Sequence, residues 1–542
     1  MANTYKYDIV IIGGGPNGLV LAAYLSKAGA KVIVLEKSFE TGGGLATEDL
    51  TIPGFIHNSH AVYQMMVDYA PPYKDFELEQ RRDVRHIYPD LQYAMPLLDG
   101  RSICIYKDIE RTCRSLEQFS KKDAETWREI SEKCNRYMDD FLAPATYVEA
   151  VPPLDQAVRL GKSKLGKELI SFSEKSPREI VDELFENAYV KALMSYVICH
   201  WGLPYEQDGI GYMALLLLNR ATNYRLCVNG SHRLASALGR EIIENGGQTR
   251  TSVLVRKIIV RDGRATGVEM DDGTVYEAER AVVSSIDPHQ TFLKLIDKRE
   301  LDQEFVEKNE AWKWERWSLL TVHLALEGVP NFAAASSDSE INRAMVYVLG
   351  YETVDDIVKH WEAIDRGELM KGAGFNCCFP GFHDPTQASE GRGTAYISQM
   401  APYQLKDGVE KWYNRDFRQE QIEMCIETLN KYAPGIKDQV LWSCITTPLD
   451  IENKLLDMGK GSIKQGAYHP FQMGYHRPNA ECSHHRTPIK NLYLCGACTH
   501  PGGLVTFGPG YVAANRVAED LGLEKWWTEP EMVTRAREKG LL

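Results

Sequence analysis

Gly13, Gly15 and Gly18 stand at Gly-x-Gly-x-x-Gly spacing inside the run GGGPNG, with Pro16 and Asn17 between the last two, and Glu36 follows Gly18 by eighteen residues. These residue types at this spacing hold a dinucleotide. Gly13 allows a tight turn, Gly15 lets a pyrophosphate approach the backbone, and Gly18 lets a helix pack on a strand. The N–H groups that open that helix donate to the phosphates. Glu36 accepts hydrogen bonds from ribose hydroxyls, and its charge repels a 2′-phosphate. Cys495 and Cys498 form a second pattern with chemical potential, Cys-x-x-Cys. Redox dithiols sit at a helix N-terminus that lowers the thiol pKa. Here the first cysteine ends an apolar run and the helical pattern resumes about fifteen residues later, so two small buried cysteines are expected instead.

For the glycine turn to work, a strand must lead into it and a helix must leave it. Residues 7–12 (YDIVII) are a short β-branched run, and residues 19–28 carry small and apolar side chains at helical spacing. Residues 31–35 (KVIVL) are a second strand that ends at Glu36, which completes a βαβ unit. From Asn229 the sequence NGSHRLASALGREIIENGGQTRT predicts an amphipathic helix beginning near Ser231 and ending at Asn245-Gly246-Gly247. Asp262-Gly263 and Asp272-Gly273 then separate alternating runs, which predicts a three-stranded meander leading into a buried strand at 281–284. Near the C-terminus, residues 491–495 (NLYLC) are an apolar strand, followed by GACTHPGGLVTFGPG and the helix-like YVAANRVAEDLG. A glycine-dense loop that opens a helix turns backbone N–H groups toward a ligand. Leu504, Val505 and Phe507 sit uneasily in a solvated loop, which also favours a ligand-facing one.

Six residues after Glu36 begins Gly42-Gly43-Gly44, and an acid followed closely by a second glycine run resembles the extended fingerprint of FAD-binding flavoproteins. Three segments together carry a wider resemblance: GGGPNG with Glu36 and GGG, VNGSHRLASALGREIIENGGQTRT through VVSSIDP, and FQMGYHRP through NLYLCGACTHPGGLVTFGPGYVAANRVAEDL. The chain is similar to the phytoene-desaturase-like branch of the FAD-dependent amine oxidase superfamily, including its pyridine-nucleotide-disulfide-oxidoreductase-domain-containing relatives. The resemblance implies an α/β fold: a Rossmann-type, two-dinucleotide-binding-fold flavoprotein with an inserted mixed α+β substrate domain. The FAD-binding domain would be assembled from 1–70, 225–295 and 430–542, and the substrate domain from 71–224 and 296–429. It implies FAD held by Gly13, Gly15, Pro16, Asn17, Gly18, Glu36, Lys37, Gly43, Gly44 and Leu45 at the N-terminal end. Val255 matches the position whose backbone meets the adenine, and Gly496, Gly503, Gly508, Gly510, Tyr511 and Val512 would face the ribityl chain and the ring's N1–C2=O edge. Many relatives carry Arg directly after the glycine doublet. Here Gly44 and Leu45 follow, so that positive charge is missing.

The same resemblance makes two histidines informative. His500 lies in the glycine-rich loop expected at the flavin, and His60 ends the PGFIHNSH segment expected to run beneath the ring. Imidazole titrates near neutral pH, so either could serve as general acid or base, and either could equally be a histidine satisfied by backbone groups. His469, His476, His484 and His485 fall in irregular segments, no second Cys-x-x-Cys or His pair stands at zinc-ligand spacing, and no metal is expected. Trp201, Tyr212 and Tyr403 are candidates for lining an apolar tunnel, with plain core as the alternative.

Composition bounds the rest. The 542 residues are 44% hydrophobic and 25% charged, which fits a folded enzyme and excludes disordered, collagen-like and coiled-coil chains. Acids outnumber bases 75 to 62, so long-range electrostatics oppose nucleic acid and anionic membranes. Twelve cysteines lack the density of a disulfide scaffold, and the start MANTYKYDIVII has no secretory pattern, which together predict a cytoplasmic setting. The apolar run at 213–218 (MALLLL) is far shorter than the ~20 residues of a spanning helix, so no integral membrane segment is expected. The leading functional expectation is oxidation of a small hydrophobic, alkene-containing or isoprenoid substrate by hydride transfer to flavin N5, with an unidentified electron acceptor. Two others stay open: a redox-neutral hydratase or isomerase using reduced FAD, and a non-catalytic FAD-binding scaffold. A homo- or hetero-oligomer is open as well.

Overall fold

A computed structural model describes residues 3–542. The chain builds two seven-stranded sheets and a helical region between residues 109 and 220. The first sheet is organised around Val275–Ser284. One side of that strand pairs in parallel with Thr4–Ile12, from Thr4 against Val275 to Ile12 against Ser284. Its other side is shared: the beginning pairs antiparallel with Arg264–Met270, and the end pairs in parallel with Leu492–Leu494. Val32–Leu35 and then Gln248–Arg250 extend the sheet beyond Thr4–Ile12, both parallel. The parallel strands run as continuous apolar stretches because both faces are covered. Ile9, Ile11, Val32 and Val34 point into a core shared with Pro16–Lys27, His232–Glu244 and Gly508–Leu521. Val10, Ile12, Ile33 and Leu35 point the other way, against the meander strands Val255–Arg261 and Arg264–Met270 and against Phe292 and Phe305. The carboxyl ends of the parallel strands therefore deliver Gly13, Glu36, Ser285 and Cys495 to one edge, where open α/β sheets bind their ligands.

The second sheet has the order Val440–Thr446, Ser318–Leu326, Gly393–Ala401, Phe375–Cys378, Val346–Leu349, Leu91–Pro96, Ser102–Tyr106. All its pairings are antiparallel except that of Val346–Leu349 with Leu91–Pro96. One boundary differs from the sequence reading. Val440–Thr446 lies in the 430–542 stretch assigned to the first domain, yet it pairs with Ser318–Leu326 through Thr321 and Thr446. Its run VLWSCIT has no clean alternation and exposes Leu441 and Trp442 on the sheet's edge, so pattern alone did not place it. MALLLL lies within the helix Gly211–Arg220, largely buried. No helix among the described residues is long and apolar enough to cross a membrane.

Candidate functional site

The turn after Thr4–Ile12 is built on Gly13, whose φ of +91° disfavours any side chain. Gly15 caps the helix Pro16–Lys27 in an extended conformation, Pro16 occupies its first turn, and no side chain caps it. The first-turn N–H groups thus remain free for an anion, and a Cβ added at Gly15 or at Gly44 would meet no protein atom within 4 Å. Those two bare faces form a cradle that a side chain would fill. Gly43, at φ +54°, closes on the Gly15 Cα, and a Cβ at Gly18 would strike the Gly13 carbonyl, so Gly18 is where helix packs on turn. Glu36 is oriented by two backbone donors, the Gly14 N–H at 2.7 Å and the Ser38 N–H at 2.8 Å. The Val253 N–H donates to the Glu36 carbonyl at 3.0 Å, which lays the approach to Val255 beside that acid. Leu45 is buried and its carbonyl meets His232 Nδ1 at 3.2 Å. Lys37 turns away from the turn: its ammonium donates to the carbonyls of Asn453 (3.0 Å) and Lys454 (2.9 Å), at the end of the helix Pro448–Leu455.

The C-terminal glycine loop divides between two cavities. Gly503, Leu504 and Val505 line the same cavity as Gly15, Pro16, Asn17, Gly43 and Gly44, together with His60, Tyr63, Trp201, Thr321 and Tyr396. Tyr511 and Val512 instead line a second, larger and mostly apolar cavity of about 800 Å³, with His500 and Tyr212. Met65, Gly503 and Leu504 border both. Gly496 packs on the Ser285 carbonyl, Gly508 packs on Pro501, and Gly510 packs directly on the Asn17 carbonyl. The two chain ends therefore meet helix on helix. Of the three aromatic candidates, Trp201 and Tyr212 reach the first and second cavity, whereas Tyr403 lines neither and is hydrogen-bonded to Glu452.

Burial sets the electrostatics. It pushes His60 down to about 4, helped by the nearby Lys454 charge, and His60 makes no hydrogen bond to any described protein group, with its Nε2 buried and unpartnered. It also pushes His500 down to about 4, but here the ring donates from Nε2 to the Ala145 carbonyl at 2.9 Å. Asp457, in the wall of the first cavity, is raised to about 8 by burial and by the facing carboxylates of Asp287 and Glu36, so it is a neutral carboxyl at pH 7. The cation in that wall is Lys464, buried against Glu315 at 3.2 Å. Burial raises Cys495 and Cys498 well above the ordinary thiol range, the opposite of a redox dithiol. Among the described residues, no group of three or more His, Cys, Asp and Glu side chains is arranged to hold a metal.

The sequence did not single out Asp457, Thr321, Tyr396 or His323. His323 is fully buried in Ser318–Leu326 with neither ring nitrogen hydrogen-bonded. The one sign it left was a histidine interrupting the apolar run SLLTVHLAL.

A parallel sheet that offers bare N–H donors and an acid at its carboxyl edge, faced across one cavity by a second sheet, is the layout of a flavoprotein-type dinucleotide-binding fold. Residues 11–76 match the family model described as NAD(P)-binding Rossmann-like domain. The chain is 39% identical to a limonene dehydrogenase subunit from Castellaniella defragrans, with all of both chains covered. It is 24% identical to the neurosporene-forming phytoene desaturase of Rhodobacter capsulatus, covering 94% of each. An oxidoreductase from Methanosarcina mazei shares the fold, with a TM-score of 0.61 over 94% of this chain and 99% of that one at 17% identity. The chain belongs to the phytoene-desaturase-like family of oxidoreductases that includes the limonene dehydrogenase subunit.

Proposed function

We propose that this chain binds FAD non-covalently and dehydrogenates a small, hydrophobic, alkene-containing terpenoid. The observation that carries the reading is the first cavity, where the bare glycines at 15 and 44 face Tyr63, Trp201 and Tyr396 across one space. The naming of a 39% identical relative as part of a limonene dehydrogenase supports the substrate class.

The donor set suits FAD. The N–H groups after Gly15 would hold the diphosphate, Glu36 the ribose hydroxyls, the backbone near Val255 the adenine, and Gly503 to Val505 the ring end. When bound, FAD supplies a hydride acceptor at its N5. Tyr63, Trp201, Leu319 and Tyr396 exclude water and hold an apolar substrate by its faces. His60, neutral and without a protein partner, would accept the proton that leaves the neighbouring carbon; its unpartnered Nε2 supports that role. His500, already bonded to Ala145, would hold the loop rather than move a proton. The larger cavity, joined at Met65 and Leu504, gives the substrate an apolar approach. A second, different polypeptide is part of the proposal, since the relative is named as one component of its enzyme. All twelve cysteines are free thiols, eleven of them buried, which suits a reducing cytoplasm.

Mixing the FAD-loaded chain with limonene in a stopped-flow spectrometer without oxygen tests this reading. Bleaching of the flavin band and formation of an oxidised terpenoid are expected. A hydrated or isomerised product with no net reduction would replace this reading with the redox-neutral one, and an unchanged spectrum with every alkene tried would leave only a scaffold.

A further inference from the structure

We propose that His323 and His57 form a proton path from the first cavity to the surface at Thr51. Resting on the dehydrogenase reading above, it assigns the step that reading leaves unfinished, the exit of the substrate proton from a buried site.

Three observations place the path. His323 is 0% exposed in the middle of the second sheet, and neither of its nitrogens has a hydrogen-bond partner. Leaving two buried polar atoms unpaired is unfavourable, so such a ring calls for a reason. Its neighbours on either side provide one. The ring packs edge-on against Tyr396, which lines the cavity, with centroids 5.5 Å apart, and edge-on against His57 at 5.3 Å. His57 Nε2 lies 2.9 Å from the Thr51 hydroxyl, in a turn that is part exposed. His60 lines the same cavity as Tyr396. The rings thus run from the cavity wall to a surface hydroxyl.

The chemistry needs a ring of this kind. A neutral imidazole carries one N–H and one lone pair, so it can accept a proton at one nitrogen and release another from the second. A ring tied by a carbonyl has lost one of those sites, whereas His323 keeps both. A relay must also not retain its proton. The charged group facing the file is the Lys454 ammonium, paired with Glu48 and 3.2 Å from Ser59 Oγ, and the neutral rings of His57 and His60 face it as well; burial, with the Lys454 charge, keeps His323 neutral at rest. The balance is simple. With FAD supplying the hydride acceptor, the substrate would lose a hydride from one C–H bond, and the adjacent C–H would give its proton to His60. The three rings make no hydrogen bond to one another at rest, so each hand-off requires a ring rotation that turns a nitrogen toward its neighbour: His60 passes a proton to His323, His323 releases one to His57, and His57 releases one past Thr51 to water.

Photoreduction of the FAD-loaded chain in weak buffer with a pH indicator times proton uptake without any substrate. His323→Leu, His57→Gln and Thr51→Val are each expected to slow uptake roughly tenfold. His360→Gln, a buried ring bonded to Tyr351 outside the file, should keep wild-type speed. With limonene as the probe, proton release should slow in the same three variants while the bleaching rate of the first turnover stays unchanged. Folded, FAD-loaded variants that take up protons at wild-type speed would overturn the path. Thr51→Val removes only a hydroxyl at the outer end and decides the matter if His323→Leu does not fold. Absence of bleaching by limonene in the wild type would count against the dehydrogenase reading alone, since the photochemical measurement still judges the path.

Discussion

The two adjoining cavities hold one candidate histidine each, and the contrast between them is instructive. His60 and His500 are both depressed to about 4 by the same cause, removal from water. Their pKa values therefore do not separate them. Hydrogen bonding does: His500 spends Nε2 on Ala145 and packs into an apolar wall, while His60 keeps its ring free beside the bare glycines. Two rings of equal acidity can thus have different work, decided by which nitrogens are left over.

The sharpest way to break this contrast is to fill the cradle. Gly15→Leu should leave the apo fold intact, because its Cβ meets open space, yet cut FAD retention by more than about tenfold; Val512→Leu in the other cavity should keep it. Absorbance of the purified proteins per mole of chain decides this, and equal FAD content would place the cofactor elsewhere. Next in size, His60→Asn should slow anaerobic flavin reduction by limonene roughly 100-fold. His500→Asn should change it by less than about threefold and cost stability on the order of 1 kcal/mol from its lost hydrogen bond. Reversed magnitudes would exchange the roles of the two rings. At the shared wall, Met65→Trp should raise KM roughly tenfold for a substrate that must pass between the cavities, about 1.4 kcal/mol, with FAD still bound. An unchanged KM would remove the larger cavity from the substrate's route.

The smallest difference concerns acid. Seven histidines are held near 4 by burial: His57, His60, His86, His200, His360, His485 and His500. Their folded pKa lies below the unfolded 6.5, so between these values the unfolded chain binds more protons. Their contribution is intact above about pH 6.5 and is lost as the pH falls toward about 4. Denaturant unfolding at several pH values should show this decline. His60→Asn and His500→Asn should each flatten it by the same amount, at most about 3 kcal/mol, so stability should not see the difference that turnover sees.

The first sheet and its glycine turn were legible because local chemistry writes them. Gly13 needs its turn, Asp262-Gly263 and Asp272-Gly273 mark the two hairpins, and Glu36 ends its strand. The second sheet left little trace. Leu91–Pro96 is buried at every position, Gln92 included, so it has no alternation to read, and Val440–Thr446 is an edge strand with an irregular pattern. The site followed the same rule. The residues proposed to act through their backbone stand at a turn that local sequence encodes, whereas Thr321, Tyr396 and His323 owe their position to pairing across a sheet whose register no local signal encodes. The glycine loop near the C-terminus was found, but its division between two cavities depends on how the helix Gly508–Leu521 lies against the N-terminal one.

That last contact has a consequence for biosynthesis. Gly510 rests on the Asn17 carbonyl, and Leu492–Leu494 is the last strand to join Val275–Ser284. The glycine turn is translated long before the helix Gly508–Leu521 that closes over it. The dinucleotide proposed for this turn would therefore be held only once residues 492–521 have joined the sheet and packed on Asn17, and a product lacking them would leave the turn uncovered.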